Sequence, residues 1–312
     1  MSDTILVTAR TLPRPMMQAL EQFGEVRPGD GQPGPGYLAG ASVYVSTSVD
    51  PVPAELIERF GPELGLIANL GVGTDNIDLA AAAARGIQVS NTPVVTEDTA
   101  DLTLALLLAT CRRLSTCERQ LRDGNWAAGA QTLGQRVHGK TLGIVGFGAI
   151  GQAVARRAAG FGMELLYHGP RRKDEADSDL GATYCADLAQ LLQASDIVSL
   201  NCPLTPETRH LINQATLAQM KPGAVLINTG RGPLVDEAAL VQALASGHLG
   251  GAGLDVFEFE PEVTPELLAF DNVTLLPHIG SATGECRADI AQRAMANIQA
   301  FLTTGAPLDR CV

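Results

Sequence analysis

TLGIVGFGAIGQAVARRAAG, residues 141–160, passes from an apolar strand pattern through three glycines into an amphipathic helix pattern. Gly146, Gly148 and Gly151 stand in G-x-G-x-x-G spacing, and a strand before and a helix after give each a distinct role. Gly146 permits the tight turn, Gly148 lets the backbone approach a pyrophosphate, and Gly151 allows close packing of helix on strand. Ala149 and Ile150 offer backbone N–H groups at the positive end of the helix dipole. The segment predicts a dinucleotide-binding turn. The competing reading is a glycine-rich turn of another nucleotide fold, such as an S-adenosylmethionine methyltransferase.

Cofactor choice is set about twenty residues further on, where an acidic residue would hold an adenine-ribose 2′-hydroxyl. The sequence there is LLYHGPRRK, residues 165–173. Gly169 stands near the acidic position, and Arg171, Arg172 and Lys173 follow, a set suited to charge-assisted hydrogen bonds with a 2′-phosphate. NADP(H) is therefore favoured and NAD(H) remains possible. The alternative is that the three cations form an ordinary solvated loop.

Outward from this turn, short apolar strands alternate with helices along the whole chain, the pattern of parallel sheets covered by helices. The fold class is α/β, with two Rossmann-like domains and a central cleft. Strands are predicted at 4–8, 43–46, 65–69 and 87–89, with a helix-sized segment from Pro53 to Phe60. The stretch from Pro28 to Gly36 is rich in proline and glycine and is expected to be a surface loop. One long buried helix is predicted over 99–121, bridging the two units, on the strength of the run LTLALLLA at 102–109. A second series follows: strands at 141–146, 163–167, 196–200, 224–228, 251–254 and 273–276, with helices at 150–161 and 187–193. The amphipathic tail from Glu285 to Leu302 is left as a helix without strands, expected to return to the first unit. The expected domains are 1–98 with 283–312, which would bind substrate, and 99–282, which would bind the dinucleotide.

The 312 residues are 46% apolar and 18% charged, enough for substantial cores. A formal charge of −12 opposes attraction to nucleic acid or an anionic membrane, so neither is expected as a partner. Six cysteines are scattered without a CxxC pair or a Cys/His cluster at ligand spacing, which points to a reducing cytoplasm and to no metal site. The initial segment TILVTA is short and strand-like, so no export signal or membrane insertion is expected.

Three later segments place a polar residue just past a strand: INTGRG with Arg231, GLDVFEFEP with Asp255 and Glu260, and LLPHIGSAT with His278 and Gly280. Ligands bind at such positions in open α/β sheets. Singly, each has an ordinary explanation as a surface cation, a turn acid or a loop histidine.

With LGVGTDNIDLAAAAARGIQVSNTP, TADLTLALLLATCRR, GKTLGIVGFGAIG, NCPLTPETRHLIN and MKPGAVLINTGRGPLVDEAAL, these segments resemble the D-isomer-specific 2-hydroxyacid dehydrogenase family over nearly the whole chain. The basic stretch after residue 169 and VVTEDTADLTLALLLA look most like the NADP-dependent glyoxylate and hydroxypyruvate reductases. The resemblance implies reduction of small 2-keto acids to D-2-hydroxy acids. Arg231 would bind the substrate carboxylate and polarise the keto group, His278 would be the acid/base, and Glu260 would pair with His278. A planar guanidinium suits a carboxylate, an imidazolium suits proton donation to a nascent alkoxide, and a neighbouring carboxylate holds the ring's proton and sets its orientation.

The resemblance further implies that the turn at Leu70, Val72 and Gly73 grips the substrate carboxylate through backbone N–H groups. Asp255 would hold the nicotinamide carboxamide, and Cys202, Pro203, Thr229, His278 and Gly280 would contact that half of the cofactor. Asp101 departs from the glutamate of many relatives, which leaves its role open. The long helix and the segment up to Gln135 resemble the family's dimer-forming region, so a homodimer is expected. Alternatives are a phosphoglycerate, formate or phosphite dehydrogenase, or a nucleotide-sensing corepressor on the same fold. The single helix expected after His278 leaves no room for the C-terminal regulatory domain common in phosphoglycerate enzymes.

Overall fold

The computed structural model describes residues 4–29, 35–174 and 179–312. The chain divides into one unit of Met1–Val95 with Ser281–Val312 and another of Thr96–Gly280.

The first unit holds β1 (Ile5–Thr8), β2 (Glu25–Arg27), β3 (Val43–Thr47), β4 (Leu66–Leu70) and β5 (Gln88–Ser90), all parallel in the order β2-β1-β3-β4-β5. A parallel sheet is covered on both faces, so its strands carry apolar side chains on both. Val7, Tyr44, Ile67 and Val89 face one core with Leu38 and Ile57. Leu6, Val43, Val45, Leu66 and Ala68 face the other, against Leu20 and Ile298 of the C-terminal helix Gly284–Thr304. Between the strands lie α1 (Arg14–Leu20), α2 (Pro35–Leu38), α3 (Ala54–Glu58) and α4 (Leu79–Ala84). Of the loop expected from Pro28 to Gly36, residues 30–34 lie outside the described residues, and Pro35 and Gly36 form the start of α2 and not the end of the loop. A proline at the first helical position forfeits no helical hydrogen bond.

The second unit starts with α5 (Thr96–Cys111), α6 (Leu114–Arg122) and α7 (Trp126–Gln131). Then come β6 (Thr141–Val145), α8 (Ala149–Ala159), β7 (Glu164–His168), β8 (Ala182–Tyr184), α9 (Leu188–Ala194), β9 (Ile197–Leu200), α10 (Gln214–Leu217), β10 (Val225–Asn228), α11 (Glu237–Ala245), β11 (Gly251–Leu254) and β12 (Val273–Leu275). The sheet is parallel throughout, in the order β12-β11-β10-β9-β6-β7-β8. The chain leaves β6 toward β7 and β8, then crosses back to β9, so strand order reverses between β6 and β9. Among the described residues, no helix is long and apolar enough to cross a membrane.

The single helix expected over 99–121 is two helices, and α5 lies wholly within the second unit. Arg113 takes a left-handed conformation with φ 52°. The Gln135 N–H donates to the Cys111 carbonyl at 2.6 Å, so a partner distant in sequence caps the end of α5. Earlier along α5, the glycines of β11 make room for its side chains. A Cβ on Gly253 would lie 2.5 Å from Thr110 Oγ1 and 2.8 Å from Leu106 Cγ. The helix thus sinks onto the strand that leads to Asp255. Asp101, whose role the sequence leaves open, pairs with Arg157 of α8 at 2.5 Å, and Glu97 pairs with the same guanidinium at 2.7 Å.

Leu107 is fully buried in this packing. Leu107→Ala is expected to lower unfolding free energy in urea by about 2–5 kcal/mol, whereas Asp101→Ala, which removes an exposed ion pair, should cost less than about 1 kcal/mol. Equal losses in the two variants would contradict this division between core and surface.

Candidate active site

Strand register assembles the site. His168 pairs with Val145, Val145 with Leu200, Leu200 with Asn228, Asn228 with Leu254, and Leu254 with Leu275. These six residues form one row across a parallel sheet, so the residues that follow them leave along the same edge. That edge therefore carries Gly169, Gly146, Asn201 with Cys202, Thr229, Asp255, and the segment leading to His278.

At the β6 end the three glycines have separable duties. Gly146 has φ +94°, and a Cβ there would lie 2.4 Å from Cys202 N, so only glycine fits between β6 and the turn after β9. A Cβ on Gly151 would lie 2.2 Å from Gly146 O, which is the close helix-to-strand contact. A Cβ on Gly148 would meet nothing within 4 Å. Open space thus lies beside the first turn of α8, whose leading N–H groups at Ala149 and Ile150 have no intrahelical acceptor. Gly169 lies close by, since its added Cβ would come to 4.0 Å from Phe147 N. Arg171 and Arg172 follow it, exposed, with Arg172 Nε 2.9 Å from Asp174.

At the β10 end, Asn228 shapes the turn that presents Arg231. The Asn228 side chain accepts from the Gly230 N–H at 3.0 Å and donates to the Arg231 carbonyl at 2.9 Å. Gly232 then brings this turn against the one after β11: a Cβ there would lie 1.8 Å from Phe257 O. Thr229 Oγ1 is 2.7 Å from Thr103 Oγ1 of α5. Cys202 is mostly buried, and burial pushes its thiol up to about 11.

The remaining groups converge on His278. Its ring Nδ1 lies 2.8 Å from Glu260 Oε2, and the Phe257 N–H donates to Glu260 Oε1 at 2.9 Å. Burial pushes the Glu260 carboxyl up, but the hydrogen bonds from His278 and Phe257, with the charges of His278 and Arg231, outweigh it and hold the group below the ordinary range. Asp255 behaves oppositely. It is buried, and burial raises its carboxyl despite N–H groups donated by Ile279 at 2.7 Å and Gly280 at 2.8 Å. These two bonds and the His278 N–H to Asp255 O bond at 2.8 Å fold residues 278–280 into a turn, with His278 itself at φ 54°. A non-glycine residue in the left-handed region persists only where its surroundings enforce it.

In the first unit, the turn after β4 has its carbonyls tied down. Gly71 O accepts from Thr92 N at 3.0 Å, Val72 O from Asn91 Nδ2 at 2.8 Å, and Gly73 O from Asn69 Nδ2 at 2.8 Å. Among the described residues, the N–H groups of Val72 and Gly73 have no hydrogen-bond acceptor.

Residues 104–280 match the model for the D-isomer specific 2-hydroxyacid dehydrogenase, NAD binding domain. The chain is 50% identical over 264 residues to a glyoxylate reductase of Thermococcus litoralis, covering 82% of this chain and 79% of that one. It is 44% identical over 256 residues to a hydroxyphenylpyruvate reductase of Plectranthus scutellarioides, covering 82% and 80%. The chain belongs to the D-isomer-specific 2-hydroxyacid dehydrogenase family. Among solved structures, an NADPH-dependent glyoxylate/hydroxypyruvate reductase of Sinorhizobium meliloti, in complex with NADP and malonate, superimposes with a TM-score of 0.92 at 37% identity over 100% of this chain and 97% of that one.

Within this dehydrogenase, Glu260 and His278 meet directly, Arg231 acts on Glu260 through its charge, and Asp255 organises the backbone beside them. Sequence reading missed the residues that hold these segments in place. Asn228 shapes the Arg231 turn, and Asn69, Asn91 and Thr92 brace the turn after β4. An asparagine two residues before a glycine-led turn is a detectable signal for the first. No local pattern marks the others.

Because Glu260 is held below its ordinary range in the fold, its contribution to stability is complete above the unfolded carboxylate range and is lost as pH falls through the folded value. As pH falls from about 5 to about 3, Glu260→Gln is therefore expected to lose less unfolding free energy than the parent, measured by urea denaturation. A steeper loss in the variant would reverse the sign assigned here.

Proposed function

We propose that this dehydrogenase is an NADPH-dependent reductase of small 2-keto acids such as glyoxylate and hydroxypyruvate. The supporting observation is the 2.8 Å His278–Glu260 pair on the sheet edge that also carries Arg231 and the glycine turn. The open space at Gly148 and the free N–H groups opening α8 fit a dinucleotide pyrophosphate. Gly148, Ala149, Ile150 and Gly151 would hold the pyrophosphate. Gly169 leaves room for a 2′-phosphate, with Arg171 and Arg172 as its cationic partners. Cys202, Pro203, Thr229, Asp255, His278 and Gly280 are proposed around the nicotinamide, which supplies a hydride when bound.

The chain's own residues do the rest. Arg231 pairs with the substrate carboxylate through its planar guanidinium and draws charge toward the keto oxygen. In the first unit, the Val72 and Gly73 N–H groups are proposed as substrate-carboxylate donors, with the apolar side chain of Leu70 beside them. Since Nδ1 of His278 faces Glu260, Nε2 is the nitrogen that donates a proton to the nascent alkoxide, and the charged ring is stabilised by Glu260. The first unit is thus the substrate-binding unit and the second the dinucleotide-binding one. Leu114, Leu121, Trp126 and Leu133 are exposed apolar side chains on and beside α6 and α7, which supports pairing with a second copy. Six free cysteines accord with a cytoplasmic location.

The deciding assay is steady-state oxidation of NADPH and of NADH with glyoxylate, hydroxypyruvate and bulkier 2-keto acids. Turnover only with phosphoglycerate, formate or phosphite would reassign the branch, and cofactor affinity without turnover would make the chain a binding protein. His278→Ala should lower kcat about 10²–10⁴-fold with NADPH affinity retained, and near-parental turnover would remove its proposed role. Arg171→Ala with Arg172→Ala should raise the KM for NADPH at least about 10-fold and spare that for NADH, since a single lost charge-assisted bond worth about 1.5 kcal/mol already corresponds to that factor. An equal effect on both cofactors would count against the 2′-phosphate site.

A further inference from the structure

We infer that His210, acting through Glu258, is a positioning residue for Glu260, so that a second histidine–glutamate pair stands behind the first. The inference rests on the roles proposed above for Glu260 and His278. His210 Nε2 lies 2.5 Å from Glu258 Oε1, and the Glu258 side chain is only 9% exposed. The other oxygen of Glu258 accepts the Glu237 N–H at 3.2 Å. Glu237, itself 2% exposed, accepts the Glu258 N–H at 2.7 Å and receives the Thr264 hydroxyl on its second oxygen. Two buried carboxylates therefore grip each other's backbone, and His210 is the side-chain donor to Glu258 among the described residues.

Two further features make this pair more than a fold-stabilising contact. The first is position: Glu258 is two residues before Glu260, in a segment that, among the described residues, gives the Glu260 carboxylate one backbone bond, from Phe257. The second is connection. The His210 N–H donates to Pro233 O at 2.8 Å, Ile212 donates to Leu234 O at 2.9 Å, and Asp236 donates to Ile212 O at 2.8 Å. The segment bearing His210 is laced to the residues just after Arg231, and its side chain reaches across to the segment bearing Glu260. His210 holds φ 51°, as His278 holds φ 54°, so both histidines of the two pairs sit in the left-handed region. His210 thus links, through its backbone N–H and its imidazole, the segment after Arg231 and the segment bearing Glu260.

Removing that bridge leaves Glu258 held by Glu237 alone and loosens the Phe257–Glu260 segment against His278. A misplacement of about 1 Å at a reacting group is enough to cost up to ~10²-fold in rate. His210→Ala in the full chain is expected to lower kcat about 10-fold with the KM for NADPH unchanged. The downfield NMR resonance of the His278 Nδ1 proton shared with Glu260 should move upfield and broaden in the same variant. His210→Gln keeps an N–H able to reach Glu258 and should restore both. If His210→Ala does not fold, the isosteric Glu258→Gln is read by the same two measurements and should show the same losses. A folded variant with parental kcat and an unmoved His278 resonance overturns the inference, as does a His210→Gln variant as impaired as His210→Ala. The NMR reading needs no substrate, so a parent that failed to reduce any keto acid would sink the proposed function while the resonance still decided the role of His210.

Discussion

The site depends on the parallel register of one sheet. Because Val145, Leu200, Asn228, Leu254 and Leu275 share a row, the chain exits five strands at the same height. A slip of one residue in any of these strands would turn its exit residue to the opposite face. The site residue that follows that strand would then leave the shared edge toward the wrong face of the sheet. The register is enforced from outside as well as within: Gly146 against Cys202, Gly232 against Phe257 and Gly253 against Thr110 are contacts that tolerate no Cβ. Each such glycine fixes how far one segment can approach its neighbour; at Gly146 and Gly232 the neighbour carries or precedes a residue of the site, and Gly253 itself lies two residues before Asp255.

On this frame the electrostatics are asymmetric. Two carboxylates flank His278, yet burial dominates at Asp255 and raises it, while hydrogen bonds and cationic neighbours dominate at Glu260 and lower it. Glu260 is the carboxylate suited to carry charge beside the ring. Asp255 spends its oxygens on the Ile279 and Gly280 N–H groups and sets the backbone angle from which the ring projects. One acid holds the proton in place and the other holds the residue in place, a separation produced by environment alone.

How much of this was legible beforehand follows from the range of the signals. Gly146, Gly148 and Gly151 act over one turn, so spacing and flanking pattern reveal them. The chemistry of Arg231, Glu260 and His278 came from family resemblance, since each alone reads as an ordinary loop residue. The break between α5 and α6 was not legible, because the run 102–109 continues the helical pattern and the capping N–H of Gln135 arrives from far along the chain. Strands β2 and β8 were missed for a different reason: unlike the equally short edge strands β5 and β12, which have two buried residues each, β2 has none and β8 one, so neither shows an apolar run. Asn228 carried a turn signal that was passed over, while Asn69, at the end of β4, and Asn91, just after β5, were invisible because a polar residue there looks solvated until its partners are known.

The brace after β4 shows why such residues matter to chemistry. Three successive carbonyls, at Gly71, Val72 and Gly73, are each anchored by a separate donor. A peptide group whose oxygen is anchored has its N–H direction set as well, since the two lie on opposite sides of one rigid plane. The N–H groups of the next residues are thereby aimed without any side chain contacting a ligand, and little reorganisation remains when an anion arrives. The Arg231 turn is built on the same logic, with Asn228 anchoring both its N–H and its carbonyl. In both units the residues proposed to touch substrate are held by asparagine side chains that do not, so substitutions at Asn69 or Asn228 act on orientation before they act on charge.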